Sequence, residues 1–117
     1  MKIEERNVGP VVVLDMTGKL TAGESQARLK DKINSLMLQD RVQIILNLAG
    51  VSYIDSTGLG ALVSSHSTVG RHKGQIKLVN LTERVQDLIA ICRLSTVFET
   101  YESEAEAVSS FIVVSAV

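Results

Sequence analysis

The chain reads as an α/β domain: a mixed, mostly parallel sheet of about five strands, covered by four helices. Two observations predict this. Short β-branched runs alternate with longer stretches whose apolar residues recur at helical spacing, and this strand–helix–strand alternation repeats three times after an opening pair of strands. Crossovers of that kind join parallel neighbours and are right-handed. The strand order cannot be read from the pattern.

Each element has its own signal. Residues 2–7 alternate weakly, as an edge strand does, and Asn7-Val8-Gly9-Pro10 is a turn by composition. Val11 to Met16 is a stronger strand, and the two pair as a hairpin, with Gly18 marking the end. Thr21-Ala22-Gly23-Glu24 fits the capping box T-x-x-E, and the helix after it places Leu29, Ile33, Leu36 and Met37 on one face. Val42 to Leu48 is a strand. Leu59, Leu62, Val63 and His66 then mark a helix from near Ser56 to about His72. Arg71-His72-Lys73 suits the negative end of that helix, and Gly74 suits a left-handed cap.

Gln75 to Val79 is the next strand. Thr82 caps a helix with Val85, Leu88, Ile89 and Cys92 on its apolar stripe, which makes Cys92 an inert core thiol. Val97 to Tyr101 is a short last strand. Ser103-x-x-Glu106 is a second capping box, and its helix carries Val108, Phe111 and Ile112. Residues 113–117 either fray or dock on a partner. The 117 residues form a single domain.

Composition excludes several classes. The net charge of −1, without a basic stretch, argues against direct nucleic-acid binding. One cysteine cannot form an internal disulfide and fits a reducing compartment. No signal-peptide core opens the chain, and no apolar run approaches membrane-spanning length. These features read as cytoplasmic.

The chemistry concentrates at Asp55-Ser56-Thr57-Gly58-Leu59-Gly60, where a strand hands over to a helix. Asp55 and Ser56 are both good N-caps, because a short side-chain oxygen accepts from the free N–H groups of the first turn. A phosphate on Ser56 would find backbone donors and a partial positive charge there. It would add about −1.5 to −2 charge and three acceptor oxygens. Spacing alone favours the plainer reading, in which these residues only tie off the helix.

Enzyme readings fail on geometry. A serine hydrolase needs a base within about 3 Å of Ser56, yet His66 lies ten residues along the same helix, roughly 15 Å up its axis. His72 is further still, and His66 shares the apolar stripe as a core-edge residue. Asp-Ser-Thr-Gly has one residue more than the aspartic-protease Asp-Thr-Gly. Gly58-Leu59-Gly60 is no dinucleotide fingerprint, since Val63 holds the third glycine position, and there is no phosphate-loop motif. Asp55 has no second carboxylate to pair with, and two histidines and one cysteine lack metal-ligand spacing. The chain reads as a binding protein, with no cofactor and no metal.

Asp55 to Gly60, after its buried strand, resembles the signature of STAS domains, the anti-sigma-factor antagonists. The resemblance continues in Gly18-Lys19-Leu20, in Gly74 to Asn80, in Val97-Phe98-Glu99 and in Ser103 to Ala107, and so spans nearly the whole chain in order. It implies that Ser56 is the residue phosphorylated by an anti-sigma factor with serine kinase activity. The unphosphorylated form would bind that kinase and free a sigma factor, and a phosphoserine phosphatase would reset it. Asp55, Ser56, Thr57, Gly58, Leu59, Thr21 and Glu24 are then the partner-binding residues, with Thr57 a second candidate acceptor. The family usually carries an acid where this chain has Thr21, so one negative charge is missing from the partner face. The alternative is a constitutive STAS scaffold, a subunit of a transport or stress-signalling complex in which Ser56 is only a cap. Sites in such sheets lie beyond the carboxyl ends of the strands, where Leu20–Glu24, Asp55–Ser56 and Asn80–Thr82 are expected to share one face.

Overall fold

A computed structural model describes residues 1–112, with Ile112 as backbone alone. The expectations for residues 113–117 and for the side chain of Ile112 lie outside the described residues. The elements in order are β1 (Lys2–Val8), β2 (Val11–Leu20), α1 (Glu24–Leu38), β3 (Gln43–Ile54), α2 (Ser56–Arg71), β4 (Gln75–Val79), α3 (Glu83–Ile91), β5 (Glu99–Tyr101) and α4 (Glu104–Ile112). They form the expected mixed sheet, five strands in sequence order, with only β1 antiparallel.

Each crossover reaches the strand next door. Three crossovers of one hand advancing one way leave their helices on one face. Accordingly, α1, α2 and α3 share the main core with Leu14, Met16, Leu46 and Leu48. On the opposite face α4 lays Ala107, Val108 and Phe111 over Val11, Val13, Ile45 and Val79. Its hold there is partly polar. Arg6 on β1 bridges Asp15 on β2 and Glu104 on α4. Lys77, 3% exposed, donates to Ser110 Oγ at 2.5 Å and lies 4.3 Å from the centre of the Phe111 ring.

The two-residue turn at Gly9-Pro10 closes the β1–β2 hairpin, with Gly9 at φ +59° as such turns require. Thr82 and Ser103 cap α3 and α4 through bonds from the Val85 and Glu106 N–H groups. Helix α2 ends as its basic last turn suggests, but the left-handed residue is Lys73 (φ +63°), not Gly74. Gly74 is needed for space, because a Cβ there would lie 2.3 Å from the Val42 carbonyl oxygen.

Four expectations are corrected. Gly18 does not end β2; it lies at a bulge, with φ +117°, and the strand runs on to Leu20. Strand β3 likewise runs past Leu48 to Ile54. Thr21 does not cap α1: Gly23 is the N-cap, with no side-chain cap bond, and the Thr21 N–H that a capping box would give to Glu24 goes to the Ser25 hydroxyl instead. Cys92 is exposed rather than in the core, since α3 is already ending there.

Candidate functional site

The site is carried by an overhang. Strand β3 pairs with β4 only from Gln43 to Asn47, then continues to Ile54 with β2 alone beside it. This two-stranded ribbon delivers the end of β2 and the end of β3 to the same place. Leu20 is paired with Ile54, and the Asp55 N–H donates to the Leu20 carbonyl at 3.2 Å.

Asp55 joins the two helix starts. Its backbone is extended, and its carboxylate accepts from the Gly58 N–H at 2.7 Å as the N-cap of α2. The second carboxylate oxygen accepts from the Ala22 N–H at 3.1 Å, in the loop leading to α1. These backbone donors, Gly58 first and then Ala22, hold the Asp55 carboxyl below the usual carboxylate range. Gly58 lets the two segments touch. A Cβ on it would sit 2.0 Å from the Leu20 carbonyl oxygen.

Ser56 is the first residue of α2 and is exposed, as is Thr57. Asp55 takes the cap, so Ser56 is left free of it; among the described residues the Ser56 hydroxyl makes no hydrogen bond. Gly58 and Leu59 are buried and shape the turn from within. Thr21 is half-buried, while Glu24 is exposed and pairs with Arg28 at 2.9 Å. Leu20–Glu24 and Asp55–Ser56 therefore meet as expected. Asn80–Thr82 does not join them: Asn80 donates to Asn47 Oδ1 at 3.1 Å instead.

Helix α3 supplies the other wall. An open groove of about 650 Å³ runs from Tyr53, Asp55 and Ser56 to Arg84, Asp87, Leu88 and Ile91. Ile91 is 78% exposed and Tyr53 43%, so an apolar patch flanks the serine. Sequence reasoning missed this wall. The available signal was Ile91, a large apolar residue lying off the Val85–Leu88–Ile89 stripe.

The remaining sequence candidates are engaged elsewhere. The His66 ring packs edge-on against Phe98, with centroids 5.4 Å apart, and His72 Nδ1 lies 2.9 Å from the Thr68 carbonyl. Among the described residues no three His, Cys, Asp or Glu side chains converge as metal ligands. No helix among them is long and apolar enough to cross a membrane.

An exposed serine on the first residue of a helix capped by Asp55, at the carboxyl end of a strand in a mixed sheet, is the centre of this α/β domain's candidate site. The model of the STAS domain family matches residues 2–107, and the chain belongs to that family. The anti-sigma-B factor antagonist of Listeria monocytogenes is 26% identical over 106 residues, covering 91% of each chain. A Thermotoga maritima protein, crystallised as a candidate anti-sigma factor antagonist, superposes with a TM-score of 0.86 at 23% identity, over 92% of both chains. The Bacillus cell fate determinant SpoIIAA in its phosphorylated form gives a TM-score of 0.73 at 20% identity, over 94% of this chain and 99% of that one.

Proposed function

We propose that this protein is a phospho-switched anti-sigma-factor antagonist of the cytoplasm. Unphosphorylated, the Ser56 face binds an anti-sigma factor that is also a serine kinase, and a sigma factor is released. The kinase supplies the nucleotide and transfers phosphate to the Ser56 hydroxyl, and a phosphoserine phosphatase reverses the step. The protein itself catalyses nothing. One observation carries this reading: an exposed serine hydroxyl, without a hydrogen bond among the described residues, on the first residue of a helix whose cap is already provided by Asp55. Backbone donors at that position tolerate a phosphate, so the modification alters the surface rather than the core. The curated relatives named as anti-sigma factor antagonists support the same reading.

Asp55, Ser56 and Thr57 form the partner face, with Thr21 and Glu24 at its edge and Gly58 and Leu59 beneath it. Placing a second negative charge beside Asp55 sets like charge against any acidic partner group packed on the helix tip, a juxtaposition costing several kcal/mol. The test is calorimetric titration against the cognate anti-sigma kinase. Ser56→Asp should lower affinity roughly a hundredfold, while Ser56→Ala still binds and takes no phosphate at position 56. Equal affinity of Ser56→Asp and the parent, or phosphate mapped by mass spectrometry only elsewhere, would refute the switch and leave the scaffold reading.

A further inference from the structure

The groove beside Ser56 is lined by one cation, Arg84 on α3, and by the anions Asp55 and Asp87. Arg84 is exposed and forms no ion pair among the described residues, although Asp87 lies three residues along the same helix. Its setting is unusual in one respect. Beyond Asn47 the β3 edge has no β4 beside it, and the groove there is lined both by Arg84 on α3 and by Ser56 at the start of α2. The rest of the lining is largely apolar: Tyr53, Ile54, Leu88 and Ile91.

We propose that Arg84 receives a phosphate carried by Ser56, pairing with it across the groove. This rests on Ser56 being the phosphorylated residue. A guanidinium offers a planar fork of donors that matches two phosphate oxygens, which an ammonium does not. The pair then lies over Tyr53 and Ile91. Phosphorylation in this scheme acts twice on a partner: it adds negative charge at the helix tip, and it covers the apolar patch beside it. Arg84 changes role with the state of Ser56, from an open contact in the free form to an internal counter-ion in the phosphorylated one.

The test needs no kinase and no partner. Phosphoserine is installed at position 56 by genetic encoding, and its second ionisation is followed by ³¹P NMR at low salt. Asp55 and Asp87 raise that pKa, and Arg84 lowers it. Lys19, exposed on β2 in register with Tyr53, is the neighbouring cation outside the groove. Arg84→Gln should raise the phosphate pKa by about half a unit or more, Arg84→Lys by less, and Lys19→Gln by clearly less than Arg84→Gln. A titration unchanged by Arg84→Gln, or shifted as far by Lys19→Gln, overturns the pairing. Amide spectra of each variant in the unphosphorylated form report whether the fold is kept. Because the phosphoserine is encoded rather than made by a kinase, failure here leaves the kinase-switch reading standing, and failure of the kinase assay leaves this result readable.

Discussion

Two glycines in α2, two residues apart, should respond to alanine with opposite signs. Gly58 packs against the end of β2. A Cβ there would lie 2.0 Å from the Leu20 carbonyl oxygen, 2.7 Å from its carbon and 3.0 Å from Leu20 Cγ. The first two atoms are backbone, so no rotamer change relieves the contact. The carbonyl has to retreat by roughly an ångström or more to restore ordinary separation. That same oxygen accepts the Asp55 N–H at 3.2 Å, so the retreat also loses the bond that ties β3 to β2 at the site. Overpacking of this kind costs about 1–3 kcal/mol, the lost hydrogen bond about 1 kcal/mol, and the better helix propensity of alanine returns about 0.5–1 kcal/mol. Gly58→Ala should therefore destabilise by about 1–3.5 kcal/mol.

Gly60 is exposed, and a Cβ on it meets nothing within 4 Å. Gly60→Ala keeps only the propensity gain and should stabilise by about 0.5–1 kcal/mol. Urea unfolding followed by circular dichroism separates the two, since slopes of about 1–3 kcal/mol per molar urea put the midpoints at least about 0.5 M apart. If both variants unfold within 0.3 M of the parent, on the order of the extrapolation error, the close joint between Leu20 and Gly58 is not what fixes the site.

Three further outcomes follow from individual side chains. Asp55 has a folded pKa below its unfolded value of about 3.9, so its contribution is complete above that value and is lost as pH falls through the lower, folded one. The urea-midpoint gap between the parent and Asp55→Asn should be widest near neutrality and narrow below pH about 4; a gap independent of pH would contradict the carboxylate cap. Ser65 on α2 is 3% exposed, and its hydroxyl has no hydrogen-bond partner among the described residues. Ser65→Ala should raise stability by about 1 kcal/mol in the same unfolding assay, and a loss of that size would show that the hydroxyl is satisfied. Cys92 is exposed at the end of α3, so a disulfide reagent should label the native protein about as fast as the urea-unfolded chain; slow labelling limited by unfolding would return it to the core.

The helices were legible because their apolar stripes are regular and because Thr82, Ser103 and Asp55 are caps that work locally. The ends of β2 and β3 were not. Gly18 reads as the end of its strand and the third strand as ending at Leu48, yet Gly18 and Gly50 both sit inside the paired ribbon of β2 and β3, where Thr17 faces Gly50 and a bulge absorbs the irregularity. At Gly50 a Cβ would lie 2.9 Å from the Met16 carbonyl oxygen, so that glycine records the close approach of another strand rather than a turn. Such a demand comes from residues more than thirty positions away, and no local window contains it. Cys92 fails for the opposite reason: its spacing continues the stripe, but Arg93, at φ +58°, has already turned the chain out of the helix.

The candidate site divides the same way. Its serine and cap are adjacent in sequence, so the turn could be read. Its walls are not: Thr21 and Ala22 arrive through the β2 overhang, and Arg84 and Ile91 through α3. The overhang is what makes the arrangement responsive. Because β4 stops opposite Asn47, no strand pairs with the β3 edge between Leu48 and Ile54, and Ser56 and Thr57 are exposed while Ile54 and Leu59 pack into the core beneath them. Charge added at Ser56 then meets solvent, Asp55 and the α3 wall before it meets any packed side chain. Under the proposed switch, a partner that binds this face would sense that charge while the fold beneath it would not.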